Sequence, residues 1–569
     1  MIDARKQTEG GESDNGLRFE RWVVGAFVFQ FLFLTSAAFR NHGALNTDAI
    51  AYLQIAEYWA EWNADLMVSG YWGPLLSWLM APFIKAGVEP MIAARIVMVV
   101  SGVVFLLGCK DVFRAFEIDP AMRALGLWIA AAFSVFWSVR HITPDLLLAG
   151  LMALAIASTV DRRWLTSRRV AALAGVWWGL AYLAKAIAFP LAGLTTLALA
   201  GLFVWFGAAG VREAVKRACL TWIAFGVVAA PWVLILSLKY GGPTFSTSGR
   251  INHAIAGPPD VERYHPFARE FHLPDKGRVT QWEDPSKMDY KFWSPFAGGG
   301  HFRHQVGIVG ENVPKVLTYF SGFNIAHLFG TGGKVAARDL LMLVPGFDLA
   351  YLGLVGLIGC FAPRRNWRER FKEERWRWAA LPVALMAGLY LPVYLRSDDL
   401  RYFYPAFPLV WVAACGVIAV LARRFIKDEG RGRWLAARVL AVSFGLAAGI
   451  WTLVALVGVP NAGSHFARDL AQRMEAANLK GPIAGSATLQ GGRAGLYAAW
   501  FLNEPWLGDD ETAGADGLAE SGASVVVATR FDSRVEEMEH DRRFEDIGGR
   551  LFASEEMEGY PLRVFRVVN

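Results

Sequence analysis

The sequence predicts a polytopic α-helical membrane protein of about eleven transmembrane helices, carrying a small C-terminal α/β extracytoplasmic domain. Three observations lead there. Apolar runs of roughly 18–22 residues, long enough to cross a bilayer's hydrocarbon core as helices, recur along most of the chain. Of the 569 residues, 54% are hydrophobic and only 19% charged, where soluble domains run at about a quarter charged. Arginine and lysine, finally, crowd into alternate loops.

The runs fall at about 22–39, 91–109, 121–138, 146–160, 170–184, 188–206, 219–238, 340–361, 378–395, 403–421 and 439–458. Gly70–Gly87 is also apolar, but Gly73-Pro74 and Pro82 interrupt it, which assigns it to the interface or to a partial insertion. Met1–Glu20 is polar and mixed in charge, and no small-residue cleavage site follows the first run. An uncleaved first helix fits this better than a signal peptide.

One set of loops holds Lys110/Arg114, Arg162/Arg163/Arg168/Arg169, Arg212/Lys216/Arg217, Arg364/Arg365/Arg368/Arg370/Lys372 and Arg423/Arg424/Lys427/Arg431/Arg433. The other set carries scattered charges: Arg40, Lys85, Arg140, Lys185, Arg396 and Arg401. The positive-inside rule makes the first set cytoplasmic. Residues 1–21 are then cytoplasmic, and 22–460 form the transmembrane domain with outer loops 40–90 and 239–339. The tail, 461–569, lies outside. The expected location is the cytoplasmic (inner) membrane, crossed many times.

In the tail, His465–Asn478 reads as an amphipathic helix, Pro482–Ser486 as a short strand and Gly492–Leu502 as a second helix. Ala523–Thr529 is an apolar run of strand length, and Leu551–Phe552 with Leu562–Val568 suggests a closing hairpin. The loop 239–339 is too long for a mere connection. The net charge of +6 resides in short loops between apolar runs, so no nucleic-acid partner is expected. Cys109, Cys219, Cys360 and Cys415 all lie in or beside apolar runs, which gives neither a disulfide framework nor metal-ligand spacing.

The most informative stretch is Asn46-Thr47-Asp48-Ala49-Ile50-Ala51-Tyr52, just beyond the first run. If Asp48 begins a helix, Tyr52 lies one turn on along the same face. Asp48 is then either a general base at the membrane–water boundary or a helix N-cap, for which Asn46 and Thr47 are equally suited. Arg140-His141-Ile142-Thr143-Pro144-Asp145, Lys185 and Arg401 lie on the same outer side, and Tyr52, Arg140 and Asp145 are candidates for a substrate site. Ionisable groups at such places are functional candidates, with snorkelling the competing reading, which Arg140 favours. Cations facing an outer cavity suit an anionic headgroup such as a lipid phosphate.

Asp48 with Tyr52, Gly70-Tyr71-Trp72-Gly73-Pro74-Leu75-Leu76-Ser77-Trp78-Leu79, Gly179-Leu180-Ala181-Tyr182-Leu183-Ala184-Lys185, Pro231-Trp232 and Arg401-Tyr402 before Pro405 resemble the GT-C superfamily in the same order. Within it, the chain is similar to the protein-mannosyltransferase and lipid A aminoarabinose-transferase group. The resemblance implies transfer from a polyprenyl-phosphate-sugar donor to a lipid, glycan or protein acceptor on the outer face. It implies that Asp48 is the catalytic aspartate and that Lys185 holds donor phosphate, with Arg250 or His253 where relatives place donor-contacting residues and Arg401 a further candidate for the phosphate. Two departures stand out. Ala49 replaces the second member of an acidic pair, and Trp72-Gly73-Pro74 stands where relatives carry Lys-Pro-Pro.

Displacement of a lipid phosphate needs one base for the acceptor and cations for the leaving group, and inverts the anomeric centre. No cofactor and no metal site is expected, with a divalent cation left open at His301 and His304, whose competing reading is a polar loop tip. Gly298–Gly300 lacks the strand–helix context of nucleotide binding. A flippase for a lipid-linked glycan would place its ionisable groups near the bilayer midplane, and a non-catalytic scaffold would not need Asp48 or Lys185.

Overall fold

The computed structural model describes residues 2–261, 269–321, 372–393, 400–425, 448–458, 462–485, 488–489, 492–510, 512–530, 532–552 and 561–568, with 369, 395, 438, 441 and 445. The chain opens with α1 (Ile2–Arg40), α2 (Thr47–Ala60), α3 (Pro74–Lys85), α4 (Pro90–Ala115), α5 (Pro120–Arg140) and α6 (Asp145–Val160). There follow α7 (Arg163–Thr166), α8 (Arg168–Ala184), α9 (Ala188–Trp205), α10 (Val211–Tyr240), α11 (Ser248–Ala254) and α12 (Gly299–Ser321). Helices Ala380–Tyr390 and Phe407–Phe425 come later.

Among the described residues, five helical stretches are long and apolar enough to cross a membrane: Glu20–Arg40 within α1, then α4, α5, α9 and α10. α6, Phe407–Val420 and Ala448–Val457 are shorter apolar helices. The run expected at 340–361 lies outside the described residues, as do most of 439–447 at the start of the run 439–458.

Local signals explain the boundaries. Asp119 accepts a bond from the Ala121 amide and Pro120 opens α5, a standard start. α10 stops at Gly241, whose φ of 72° is left-handed. α4 and α6 touch through glycine: a Cβ on Gly150 would meet the Phe105 amide nitrogen at 2.6 Å, and one on Gly108 the Gly150 oxygen at 2.6 Å. Small residues of this kind let apolar helices meet backbone to backbone. α10 turns Ile223, Val227, Leu234 and Leu238 outward, a face suited to lipid. The Gly70–Gly87 run forms α3, whose 12 residues span about 18 Å. That is too short to cross, and the helix packs on α2 and α4 instead.

Residues 462–568 contain helix Ala462–Ala476 and the strands β1 (Ile483–Gly485), β2 (Thr488–Leu489), β3 (Gly492–Arg493), β4 (Trp506–Gly508), β5 (Val525–Thr529), β6 (Phe544–Asp546) and β7 (Leu562–Val567). Five of them form a sheet in the order β4-β1-β5-β7-β6, with β1 parallel to β4 and β5. β7 does not close a hairpin with Leu551–Phe552. It pairs antiparallel with β5 and β6, and Leu551 ends a short helix, Gly548–Leu551. Ile547 and Gly548 are buried, Gly549 and Arg550 exposed, and Leu551 and Phe552 buried again, a period near four that suits a helix face, whereas a strand would alternate. The sheet meets the rest of the chain through the 272–279 segment, where the His272 amide donates to the Leu507 oxygen (2.6 Å) and the Trp506 amide to the Val279 oxygen (2.7 Å). Helix Ala494–Leu502 rests against α2.

Candidate functional site

The site begins at the first turn of α2, where three consecutive residues reach three different parts of the chain. Asn46 is the N-cap, with extended backbone and no side-chain capping bond. Its Oδ1 accepts from the Ile142 amide instead, at 2.8 Å. The Thr47 hydroxyl lies 3.4 Å from the Tyr497 hydroxyl. Asp48 does not cap the helix. Its carboxylate accepts a bond from Arg401 Nη1 at 2.7 Å, and the positive end of the α2 dipole supports its charge.

Arg401 sits on the helical turn Leu400–Phe403, and its Nη1 is also 3.9 Å from Asp145 Oδ2. Asp145 is the first residue of α6 and accepts from Lys185 Nζ at 2.6 Å. Lys185 follows the last residue of α8 in an extended conformation, its ammonium 5.1 Å from the centre of the Tyr402 ring. Asp48, Arg401, Asp145 and Lys185 thus form a chain of alternating charge, drawn from four elements that meet at one end of the bundle. Exposure separates the two carboxylates. The Asp145 side chain is 3% exposed and that of Asp48 27%, so Asp48 is the acid that a ligand can reach.

Aromatic rings form a wall beside this chain. Tyr52 contacts Trp72 edge-on at 5.0 Å, and Trp72 contacts Trp282 at 5.0 Å while donating its indole N–H to the Trp282 oxygen (2.7 Å). Burial, with Asp145 and Asp48 nearby, pushes the Tyr52 phenol well above its ordinary range and keeps it neutral. Glycine at position 73 has a steric cause: a Cβ there would meet the Ala184 oxygen at 2.2 Å. The start of α3 therefore lies flat on the backbone that leads into Lys185.

Of the sequence candidates, Asp48, Tyr52, Asp145, Lys185 and Arg401 come together. Arg140 does not share those partners; its guanidinium lies 5.5 Å from the Phe136 ring and bonds His141 at 3.2 Å. Arg250 is exposed and stacks 3.6 Å from the Phe292 ring. His253 stacks on Trp293 at 4.2 Å and bonds Gln305 at 2.9 Å. His301 bonds Asp260 at 3.0 Å, and His304 bonds the Ala256 oxygen at 2.8 Å. Among the described residues, no three His, Cys, Asp or Glu side chains are grouped to hold a metal ion.

Tyr71 was not singled out, although it stands in the Gly70–Leu79 motif. Its hydroxyl donates to Asn252 at 3.2 Å, and burial with Asp48 nearby pushes the phenol up. Also unforeseen is the pair Lys239–Asp284, at 2.6 Å.

The fold is shared with solved membrane-enzyme structures at low sequence identity. The chain is similar to ArnT from Cupriavidus metallidurans in the apo state, with a TM-score of 0.52, 14% identity and 98% of each chain covered. It is similar to the same protein bound to undecaprenyl phosphate, with a TM-score of 0.53, 14% identity, and 96% of this chain and 97% of that one covered. A third similar structure is the archaeal oligosaccharyltransferase AglB from Archaeoglobus fulgidus in complex with an inhibitory peptide and a dolichol-phosphate, with a TM-score of 0.52, 14% identity, and 90% and 69% covered. No family model matches the sequence, and no curated protein matches it.

Proposed function

We propose that this chain is a glycosyltransferase that moves a sugar from a polyprenyl-phosphate donor to an envelope glycolipid, polysaccharide or protein on the outer face of the inner membrane, with inversion. The observation that carries the reading is the Asp48–Arg401 bond beside Asp145–Lys185. A reachable carboxylate and two cations are the groups that displacement of a lipid phosphate requires. The undecaprenyl phosphate bound to ArnT and the dolichol-phosphate bound to AglB, in structures of the same fold, support a lipid phosphate as leaving group.

The donor phosphate binds Arg401 and Lys185 and draws Arg401 away from Asp48. Asp48 then accepts the proton of the acceptor hydroxyl as its oxygen attacks the anomeric carbon. The bond from that carbon to phosphate oxygen breaks on the opposite side, and the oxygen leaves with the electron pair, held by the two cations. Asp145 keeps the cations in place from below. Lys185 takes the place of the missing lysine at Trp72-Gly73-Pro74, because Gly73 lets its backbone lie against that segment. The cluster belongs to helix ends, which favours interfacial transfer over passage through the midplane.

The test is purified protein with a panel of polyprenyl-phosphate sugars and membrane glycolipid or peptide acceptors, scored by release of lipid phosphate together with sugar transfer. Transfer from one donor supports the reading; no transfer from any donor, with envelope glycans unchanged on deletion of the gene, contradicts it. A reporter fused at Asp516 is expected to read as extracytoplasmic, and a cytoplasmic signal would overturn the placement.

A further inference from the structure

Helix α12 contributes none of the four charged residues, yet its polar side chains gather the chain that leads to Arg401. Asn312 is 1% exposed. Its carboxamide donates to the Leu391 oxygen at 2.8 Å and to the Val393 oxygen at 2.6 Å. Gln305 donates to the Pro392 oxygen at 3.1 Å, and Lys315 to the Leu395 oxygen at 3.1 Å. These carbonyls follow the end of helix Ala380–Tyr390, where backbone oxygens lack partners within a helix and take them from side chains.

What lies next to this junction gives the bonds their consequence. Tyr390 contacts Tyr402 edge-on at 5.0 Å. The Tyr402 ring faces the Lys185 ammonium, and the adjacent Arg401 holds Asp48. α12 also packs against the turn that carries Arg401.

We propose that Asn312 is a positioning residue for the donor-phosphate cations: by holding the Leu391 and Val393 carbonyls it sets Tyr390 against Tyr402, and so sets where Arg401 and Lys185 stand. This rests on the reading of Arg401 and Lys185 as phosphate ligands. A primary amide suits the position because it presents two donors on one nitrogen. A carboxylate of nearly the same shape offers no donor when ionised, and turns negative charge toward two carbonyl oxygens.

The experiment uses the full chain in lipid nanodiscs, titrated with undecaprenyl phosphate, with the phosphate-free polyprenol as control. The parent is compared with Asn312→Asp, Arg401→Ala and the double variant. Asn312→Asp is expected to weaken undecaprenyl phosphate binding about tenfold or more, with polyprenol binding unchanged, and to lower kcat/KM for the sugar donor. Arg401→Ala weakens binding at least as much, and the double variant loses less than the sum of the two single losses, because only the part carried by Lys185 remains to be lost. Should Asn312→Asp fail to accumulate, Asn312→Ser keeps one donor and is expected to lose about threefold. Parent-like binding by an accumulated Asn312 variant, or losses that simply add in the double variant, overturns the role of Asn312 while the phosphate site stands. Parent-like binding by Arg401→Ala overturns the phosphate site itself.

Discussion

Two carboxylate–lysine pairs sit at the same end of the helix bundle, Asp145–Lys185 and Asp284–Lys239, and each closes at 2.6 Å. Around Asp284 every group is engaged. One carboxylate oxygen takes the Lys239 ammonium and the other the Tyr240 hydroxyl at 2.9 Å, and the Asp284 side chain has no exposed surface. Lys239 also donates to the Val68 oxygen, and the Tyr240 hydroxyl accepts from the Gly70 amide at 2.8 Å. This pair fastens the end of α10 to the segment that carries Tyr71 and Trp72. Asp145 has the same kind of partner but passes charge onward through Arg401 to Asp48, and Lys185 is 30% exposed. A pair whose carboxylate is wholly covered, with both oxygens engaged, is a fastener. A pair that opens toward solvent keeps charge available for a ligand.

Breaking the fastener should have the largest effect on stability. Asp284→Ala strands a largely buried ammonium, which costs about 3–5 kcal/mol, read as a fall in the melting temperature of the purified protein. An unchanged melting temperature would put Asp284 in the same category as the open cluster.

The neighbouring Glu283 offers a test by pH. Burial pushes its carboxyl up from 4.5 to about 7, against the pull of Arg278. The folded state therefore holds this proton longer than the unfolded chain. The stabilisation is complete below about pH 4.5 and is lost as pH rises through 7. Glu283→Gln removes the penalty of ionising a buried acid. It should stabilise the protein above pH 7 by up to about 3 kcal/mol and leave it unchanged near pH 4. Equal gains at both pH values would contradict the assignment.

The open cluster predicts a smaller, functional effect. Lys185→Ala should weaken donor use by about 1.5–3 kcal/mol, read as a fall in kcat/KM for the donor, with folded protein still accumulating because Arg401 remains beside Asp145. Unchanged donor use would move the phosphate site to Arg401 alone.

Much of this was legible in the sequence because the membrane imposes period and sign. Apolar length pointed to helices of which five, among the described residues, are long and apolar enough to cross a membrane, and the charge bias between loops put Asp48, Asp145, Lys185 and Arg401 on one expected side; the structure brings these four together. Their pairing was not legible, since it joins positions up to 353 residues apart and no spacing encodes it. Asp284 was missed for a related reason: it lies in irregular chain, where neither helical nor strand period points a side chain anywhere. The N-cap alternative for Asp48 was undecidable from Asn46-Thr47-Asp48, three residues that all cap helices well. Backbone direction decides it, by making Asn46 the cap. For Arg250 and His253, position after Pro231-Trp232 was a weaker guide than local stacking on Phe292 and Trp293.

The central claim is that Asp48 is a base, and Asp48→Asn tests it most directly. The amide keeps the shape and an acceptor for Arg401, and α2 is capped by Asn46 and not by Asp48, so folding and expression should not change. It cannot take a proton at neutral pH. Sugar transfer by the purified variant, measured beside release of lipid phosphate, is expected to fall by roughly 10²–10⁴ while undecaprenyl phosphate still binds. Transfer at the parent rate would contradict the assignment of Asp48.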